Sequence, residues 1–208
     1  MKYQFILLQL TTIFICLFED VLATNCFHCL SPDKHYNATV RRQLATQTDI
    51  FFYPLGVKSQ YCSESIDPED PHIIEGELCS KYPICITLFP NLQDSSFMVR
   101  GCFENILRHS RRSEEQLQKE GCYLLRSLPM YANTVTMDYV VCTCHGDYCN
   151  TMPMPDVLPK PYSFGKSNIL KVHVDEERNA LQLSTSSTSS IFTISSVWSL
   201  TLVLFQFL

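Results

Sequence analysis

Cysteine is the residue that most constrains how this chain can fold. Eleven cysteines occur in 208 residues, and ten of them lie between Cys26 and Asn150. The eleventh, Cys16, belongs to an apolar N-terminal run. An even set of cysteines in a chain with a secretory signal predicts a disulfide framework. Spacing alone leaves the pairing open, since eight cysteines already allow on the order of 100 connectivities.

The N-terminus has the pattern of a secretory signal peptide. Lys2 precedes an apolar run from Phe5 to Phe18, and the stretch ends at Val21-Leu22-Ala23. We therefore expect cleavage after Ala23, which removes residues 1–23. The alternative is an uncleaved membrane anchor. It is disfavoured by the small residue at the cleavage position and by a run shorter than the ~20 apolar residues that span a bilayer.

The C-terminus has the pattern that directs attachment of a glycosylphosphatidylinositol (GPI) lipid. A run of Ser and Thr at 184–190 precedes an apolar segment at 191–208, and no charged residue follows Arg178. The alternative, a transmembrane helix, usually carries Lys or Arg on its cytoplasmic side. The pattern predicts attachment at Ser187, with Ser184 and Ser186 as alternatives, and loss of residues 188–208. The mature protein would then lie on the outer face of the cell membrane.

Composition changes after Asn150, which follows the last cysteine. Residues 24–150 are predicted to form one disulfide-rich domain. The next segment is dense in proline, which suits an extended spacer; the prolines are Pro153, Pro155, Pro159 and Pro161. Residues 171–178 could form a short strand or helix, but we expect 151–187 to be a solvated stalk. The formal charge of −5 becomes −4 when the signal peptide is removed, and no basic face for nucleic acid is indicated.

Strand signals within the domain are local. Residues 82–89 and 97–103 are rich in β-branched and aromatic side chains and flank a turn-forming segment at 90–95, which predicts a hairpin. Residues 135–144 predict a third strand. Residues 104–120 are polar and predict a short surface helix.

Two chemical alternatives arise from the same residues. A zinc site would use cysteines and nearby histidines; the candidates are Cys26, Cys29, Cys142, Cys144, Cys149, His28 and His145. The secretory route favours disulfides instead. His145 and Asp147 could form an acid–base pair, but no motif places a nucleophile beside them. We therefore predict no catalytic, metal or cofactor residue and no enzyme activity.

The two ends of the cysteine framework resemble a known family. Cys144-His145-Gly146-Asp147-Tyr148-Cys149-Asn150 resembles the closing Cys-x-x-Asp-x-Cys-Asn of the three-finger domain family of lymphocyte antigen six and the urokinase receptor, and Cys26-Phe27-His28-Cys29 is similar to its opening pair. The resemblance covers residues 26–150. It implies a mainly β, small disulfide-rich three-finger (snake-toxin-like) domain whose disulfide knot projects three loops.

The resemblance also implies a disulfide pairing and a role for Asn150. In family order the pairs are Cys26–Cys85, Cys29–Cys62, Cys79–Cys102, Cys122–Cys142 and Cys144–Cys149. Asn150 would tie the C-terminal end of the domain back to the core. The chain departs from the family in Thr143, which separates two cysteines that are usually adjacent, in a long first loop between Cys29 and Cys62, and in an expanded segment between Cys102 and Cys122.

Local sequence gives three candidate sites. Asn37-Ala38-Thr39 predicts glycosylation of Asn37. The hairpin tip combines Leu92 with the hydrogen-bonding Asn91 and Asp94, and predicts a partner-binding loop; a plain solvated turn is the alternative. The aromatic run Phe51-Phe52-Tyr53 is more typical of core than of a binding face.

These features predict a binding protein on the cell surface. Its partner would be an extracellular or membrane protein: a receptor or channel that it modulates, or an extracellular ligand. The resemblance suggests a neuronal role, since expanded GPI-linked members of the family include neuronal and sensory proteins. The alternative is a co-receptor or decoy for a growth-factor-type ligand. The sequence offers no constellation for a hydrolase.

Overall fold

A computed structural model describes residues 23–184, except 33–35, 37, 39, 43–48, 53–56, 68–73, 94, 129–135 and 165–166. The described part of the chain contains nine strands. They are β1 (Thr24–Phe27), β2 (Cys29–Leu30), β3 (Gly76–Cys79), β4 (Cys85–Pro90), β5 (Val99–Cys102), β6 (Gly121–Arg126), β7 (Asp138–Cys144), β8 (Ile169–Asp175) and β9 (Ala180–Leu183).

The strands form two antiparallel sheets. β1 pairs with β3, and the other seven strands form one sheet in the order β2-β5-β4-β7-β6-β8-β9. β4 and β5 form the predicted hairpin, with Cys85 opposite Cys102, and β7 is the predicted third strand. The mainly β, disulfide-rich fold expected from the sequence is confirmed, and the arrangement is that of a small three-finger domain.

Successive side chains along the central strands point to opposite faces of the large sheet, and each face carries a hydrophobic cluster. Ile86 and Leu88 point to one face, where the first loop and the segment after β5 cover them, and Phe89 points to the other. Because both faces are covered, every residue of β4 is buried. β4 is therefore a fully buried central strand rather than a strand with one solvated face.

The expected solvated stalk is wrong for the described residues after Asn150. Residues 151–164, which we call the C-terminal strap, pack against the second face of the sheet through Leu158 and Phe164. β8 and β9 then form a C-terminal hairpin whose first strand pairs with β6, with Cys122 opposite Val172. Alternation of apolar and polar residues along β8 favours a strand, and the prolines lie in the strap, outside the sheet ladders.

The helix expected at 104–120 is realised as two single turns, α1 (Phe103–Ile106) and α2 (His109–Arg112), while 114–120 forms turns. Phe103 and Ile106 are buried, so α1 contributes to the core as well as to the surface. The described residues contain no helix that is both long and apolar enough to cross a membrane.

Candidate binding site

Five disulfides fix the bases of the loops. They join Cys26 to Cys85, Cys29 to Cys62, Cys79 to Cys102, Cys122 to Cys142, and Cys144 to Cys149. These are the five pairs that the family resemblance implies. The first and third pairs lie together in a buried cluster that no solvent reaches.

The sulfur atoms that a metal would need are used in these bonds. Those of Cys26, Cys79 and Cys102 lie within 4.8 Å of one another, which is a ligand-like spacing. Each of the three is disulfide-bonded in this structure, so none is a thiolate, the form that binds zinc. The zinc candidates Cys29, Cys142, Cys144 and Cys149 are bonded in the same way.

The closing motif has a structural task. The Asp147 carboxylate accepts a hydrogen bond from the backbone N–H of Asn25 at 2.7 Å. The buried Asn150 side chain accepts from the N–H of Phe27 (3.0 Å) and donates to the carbonyl oxygens of Phe27 (2.9 Å) and Ile86 (3.3 Å). These hydrogen bonds attach the end of the motif to β1 and β4. His145 is exposed and does not pair with Asp147.

Arg100 on β5 is a buried cation that sequence reasoning missed. Its guanidinium donates to the backbone carbonyl oxygens of Cys62 (2.9 Å), Glu64 (2.7 Å) and Met152 (2.8 Å), and also to that of Asn150. Burial lowers the pKa of Arg100 to about 9, so the side chain keeps its charge at neutral pH. The residue joins the first loop, the central sheet and the strap.

The tip of the predicted binding loop is not fully exposed, as the sequence predicts, but is partly buried. Asn91 is buried, and its side chain accepts from the N–H of Leu158 (2.7 Å) and donates to the carbonyl oxygen of Leu158 (3.3 Å) and the hydroxyl of Tyr162 (3.0 Å). The expectation that Asn91 is a solvated contact residue is therefore wrong. Its short side chain can pair with both backbone groups of Leu158 because the strap runs directly over the loop. Leu92 is half-buried against the core.

A groove of about 610 Å³ lies where the β4–β5 loop (residues 91–98) meets the strap. Leu92 and Gln93 line it on the loop side, and Asp156 and Val157 line it on the strap side. Hydrogen bonds between Asn91 and Leu158 hold the two walls together at one end. Leu92, predicted as a contact residue, thus remains in position to touch a ligand, whereas Asn91 builds the wall.

The strap is also held at the first residue of β7. The Tyr162 hydroxyl donates to Asp138 (2.7 Å), whose other carboxylate oxygen accepts from Arg126 (3.1 Å). The Arg126 guanidinium lies 4.3 Å from the centroid of the Phe164 ring, a cation–π contact. Burial raises the pKa of Tyr162 to about 12, and the hydrogen bond to Asp138 adds to the increase.

The aromatic run at 51–53 contributes to the core, as its composition favours. Phe51 is buried and packs edge-on to Tyr139, with ring centroids 5.2 Å apart. Phe52 is half-buried beneath the Arg108 guanidinium, which lies 4.9 Å from its ring centroid. Tyr53 lies outside the described residues, as do the glycosylation candidate Asn37, the loop candidate Asp94 and the attachment candidates Ser186 and Ser187.

The contacts that sequence reasoning missed share one property: they join residues that are distant in the chain. Asn91 and Leu158 are 67 residues apart in the sequence, and Arg100 and Asn150 are 50 residues apart. The only local signal was the alternating pattern at 169–174, which favours a strand. That pattern could have placed the C-terminal hairpin on a sheet edge.

Comparison with known proteins gives one family. A family model described as Caenorhabditis elegans ly-6-related protein matches residues 33–151, which is more than half of the chain. The matched region includes eight of the ten framework cysteines, all except Cys26 and Cys29, and ends just beyond the closing motif. No curated protein and no solved structure gives a significant match.

Proposed function

The chain belongs to the ly-6-related family, and from that premise we propose that it is a GPI-anchored binding protein of the cell surface. It engages an extracellular or membrane protein partner and modulates a receptor or channel, or captures an extracellular ligand. It acts by binding rather than by catalysis. A neuronal setting, glycosylation at Asn37 and attachment at Ser187 belong to the same proposal.

The observation that carries the proposal is the groove between the β4–β5 loop and the strap. Its volume of about 610 Å³ lies in the ~300–1,000 Å³ range typical of ligand sites. Its walls are held by side-chain hydrogen bonds and rest on a sheet that five disulfides constrain. A preformed cleft of this kind loses little conformational entropy on binding.

Two measurements test the proposal. Phosphatidylinositol-specific phospholipase should release the protein from intact cells, since a GPI anchor is cleaved in its lipid portion. The released protein, immobilised, should then retain a protein partner from a membrane extract of the cells that express it. A protein that stays on the cell after phospholipase treatment, with a C-terminal tag still attached, contradicts the anchor.

The binding part of the proposal has its own control. Reduction of the disulfides should abolish capture, because each disulfide typically contributes about 2–4 kcal/mol and five constrain this domain. Equal capture by native and by reduced, alkylated protein would show non-specific adsorption and remove support for a specific partner.

A further inference from the structure

We propose that the groove between the β4–β5 loop and the C-terminal strap binds an extended segment of a protein partner that carries a lysine or arginine between apolar residues. This inference rests on the proposed binding function and names the chemistry of the partner at the same site.

Charge is the first argument. Among the described residues that line the groove, Asp156 is the only charged one. Asp156 is exposed, and within the described part of the chain its carboxylate accepts no hydrogen bond and joins no ion pair. An acidic group that faces a cleft without a counter-charge is complementary to a cation.

The backbone position of Asp156 is well defined, although its side chain is open. The N–H of Asp156 donates to the carbonyl oxygen of Asn179 at 2.7 Å, and the carbonyl oxygen of Asp156 accepts from the N–H of Leu181 at 3.1 Å. These bonds attach the strap to the C-terminal hairpin. The carboxylate is therefore presented from a fixed backbone rather than from a loose turn.

Hydrogen-bonding capacity is the second argument. Three of the lining residues are prolines, Pro90, Pro155 and Pro159. Proline supplies a carbonyl acceptor but no N–H donor, and its φ angle is nearly fixed, which keeps the walls in shape. These three residues bring no N–H donor to the groove, which suits a ligand that only donates, and lysine and arginine side chains have donors and no acceptor.

The apolar lining sets the rest of the ligand. Leu92, Met154 and Val157 are partly exposed and line the groove together with Asp156. They offer contact surface for the methylene stem of a basic side chain and for apolar neighbours on either side of it. The groove is half-open, so a segment of a larger protein can lie in it without being enclosed.

A peptide-binding experiment tests the inference. The probe is a dye-labelled, capped pentapeptide with one lysine between two leucines, and matched peptides carry glutamate or norleucine in place of lysine. Its fluorescence anisotropy is followed with the protein purified from eukaryotic cells in the form those cells carry, in mild non-ionic detergent. The lysine peptide should bind with a Kd below about 1 mM, and the glutamate peptide should not bind.

Two variants locate the binding. Asp156→Asn keeps the shape and removes the charge, and should weaken the lysine peptide by about three- to fivefold, as expected for a partly exposed ion pair. The difference should shrink at high salt. Gln93→Trp fills the groove from an exposed position and should reduce binding at least tenfold. Glu115→Gln, an exposed carboxylate after α2, is the matched control and should leave binding unchanged.

The outcomes separate the inference from the proposed function. All variants should show the same far-ultraviolet circular dichroism and unfolding midpoint as the native protein. No binding of the lysine peptide, equal binding of the lysine and glutamate peptides, or full binding by Gln93→Trp overturns the inference. A partner captured equally by native protein and Gln93→Trp overturns it too, while leaving the surface-binding function in place. Failure of the phospholipase test affects only the anchor.

Discussion

Arg100 is the residue on which three separate segments of the chain converge. Its guanidinium contacts the carbonyl oxygens of Cys62 and Glu64 at the end of the first loop, and those of Asn150 and Met152 where the closing motif passes into the strap. No solvent reaches the side chain. Buried carbonyl groups without donors cost free energy, so these segments depend on one cation.

Replacement of Arg100 should therefore destabilise the fold without touching a disulfide. We expect Arg100→Met to lower the free energy of unfolding by roughly 2–4 kcal/mol. Arg100→Lys should recover only part of this loss, since an ammonium cannot reproduce the planar fork of donors. Urea unfolding under non-reducing conditions measures both, with the exposed Arg178→Lys as control. An Arg100→Met variant as stable as the native protein contradicts this role.

Tyr162 makes the strap sensitive to alkaline pH. Tyrosine in an unfolded chain ionises near pH 10, whereas the pKa in the folded protein is raised to about 12. Between these values the unfolded chain loses a proton that the folded chain retains. The contribution of this group to stability is present below about pH 10 and is lost as the pH rises towards 12.

The phenylalanine variant isolates that contribution. Between about pH 9 and about pH 11 the native protein should lose more stability than Tyr162→Phe, which has no phenol to ionise. Brief urea unfolding at the two pH values gives the loss of stability for each protein. The contributions of other tyrosines cancel in the difference between the two losses, because both proteins contain them. Identical losses in the two proteins would mean that Tyr162 does not retain its proton in the folded state.

Asn91 is a structural residue in a loop for which the sequence predicts either partner contacts or a plain solvated turn. Its side chain satisfies both backbone groups of Leu158. We expect Asn91→Ala to cost about 1–3 kcal/mol, because Leu158 keeps an unpaired N–H. The exposed neighbour Gln93→Ala should stay within ~0.5 kcal/mol. Thermal unfolding of the secreted proteins distinguishes the two variants. Equal midpoints would show that the hydrogen bonds between Asn91 and Leu158 do not stabilise the fold.

At the scale of elements, local sequence signals predict the pairing of strands that are adjacent in the chain, but not the pairing of distant ones. The β4–β5 hairpin follows from two β-rich runs around a turn, because pairing of adjacent strands needs only short-range information. The prediction of a stalk fails at the C-terminal hairpin, because the pairing of β8 with β6 places Val172 opposite Cys122, far earlier in the chain. The groove has the same origin: neither wall predicts the other, so Asp156 could not be singled out.

The C-terminal segment should be indispensable to the sheet. Phe89, Leu124 and Val140 are fully buried beneath the strap and hairpin, and full burial of one such side chain is worth about 1.5–3 kcal/mol. A chain truncated after Asn150 should be retained in cells or bind a hydrophobic dye. A chain truncated after Ser184 should be secreted and should not bind the dye. Equal secretion of both, without dye binding, would make the extension dispensable.

At the scale of the whole molecule, the folded extension changes how the domain is held. A coil from Asn150 to Ser187 would give an end-to-end distance of roughly 30–35 Å. In the structure the chain is instead bound to the sheet as far as Ser184, whose N–H donates to the carbonyl oxygen of Lys171 at 3.1 Å. Attachment at Ser187 would leave three residues, which span at most about 10 Å.

The domain should therefore stand close to the bilayer, with the edge formed by β9 nearest to it. Energy transfer from a donor dye on a tag before Thr24 to acceptor lipids measures the separation on cells. Insertion of twenty Gly and Ser residues after Ser184 should lower the transfer, since the linker then extends to roughly 25 Å. The same insertion after Arg178, in the β8–β9 turn, serves as the control and should leave the transfer unchanged, because β9 still ends beside the anchor. Equal transfer with and without the insertion after Ser184 would mean that the domain is already distant from the membrane, as a free stalk would place it.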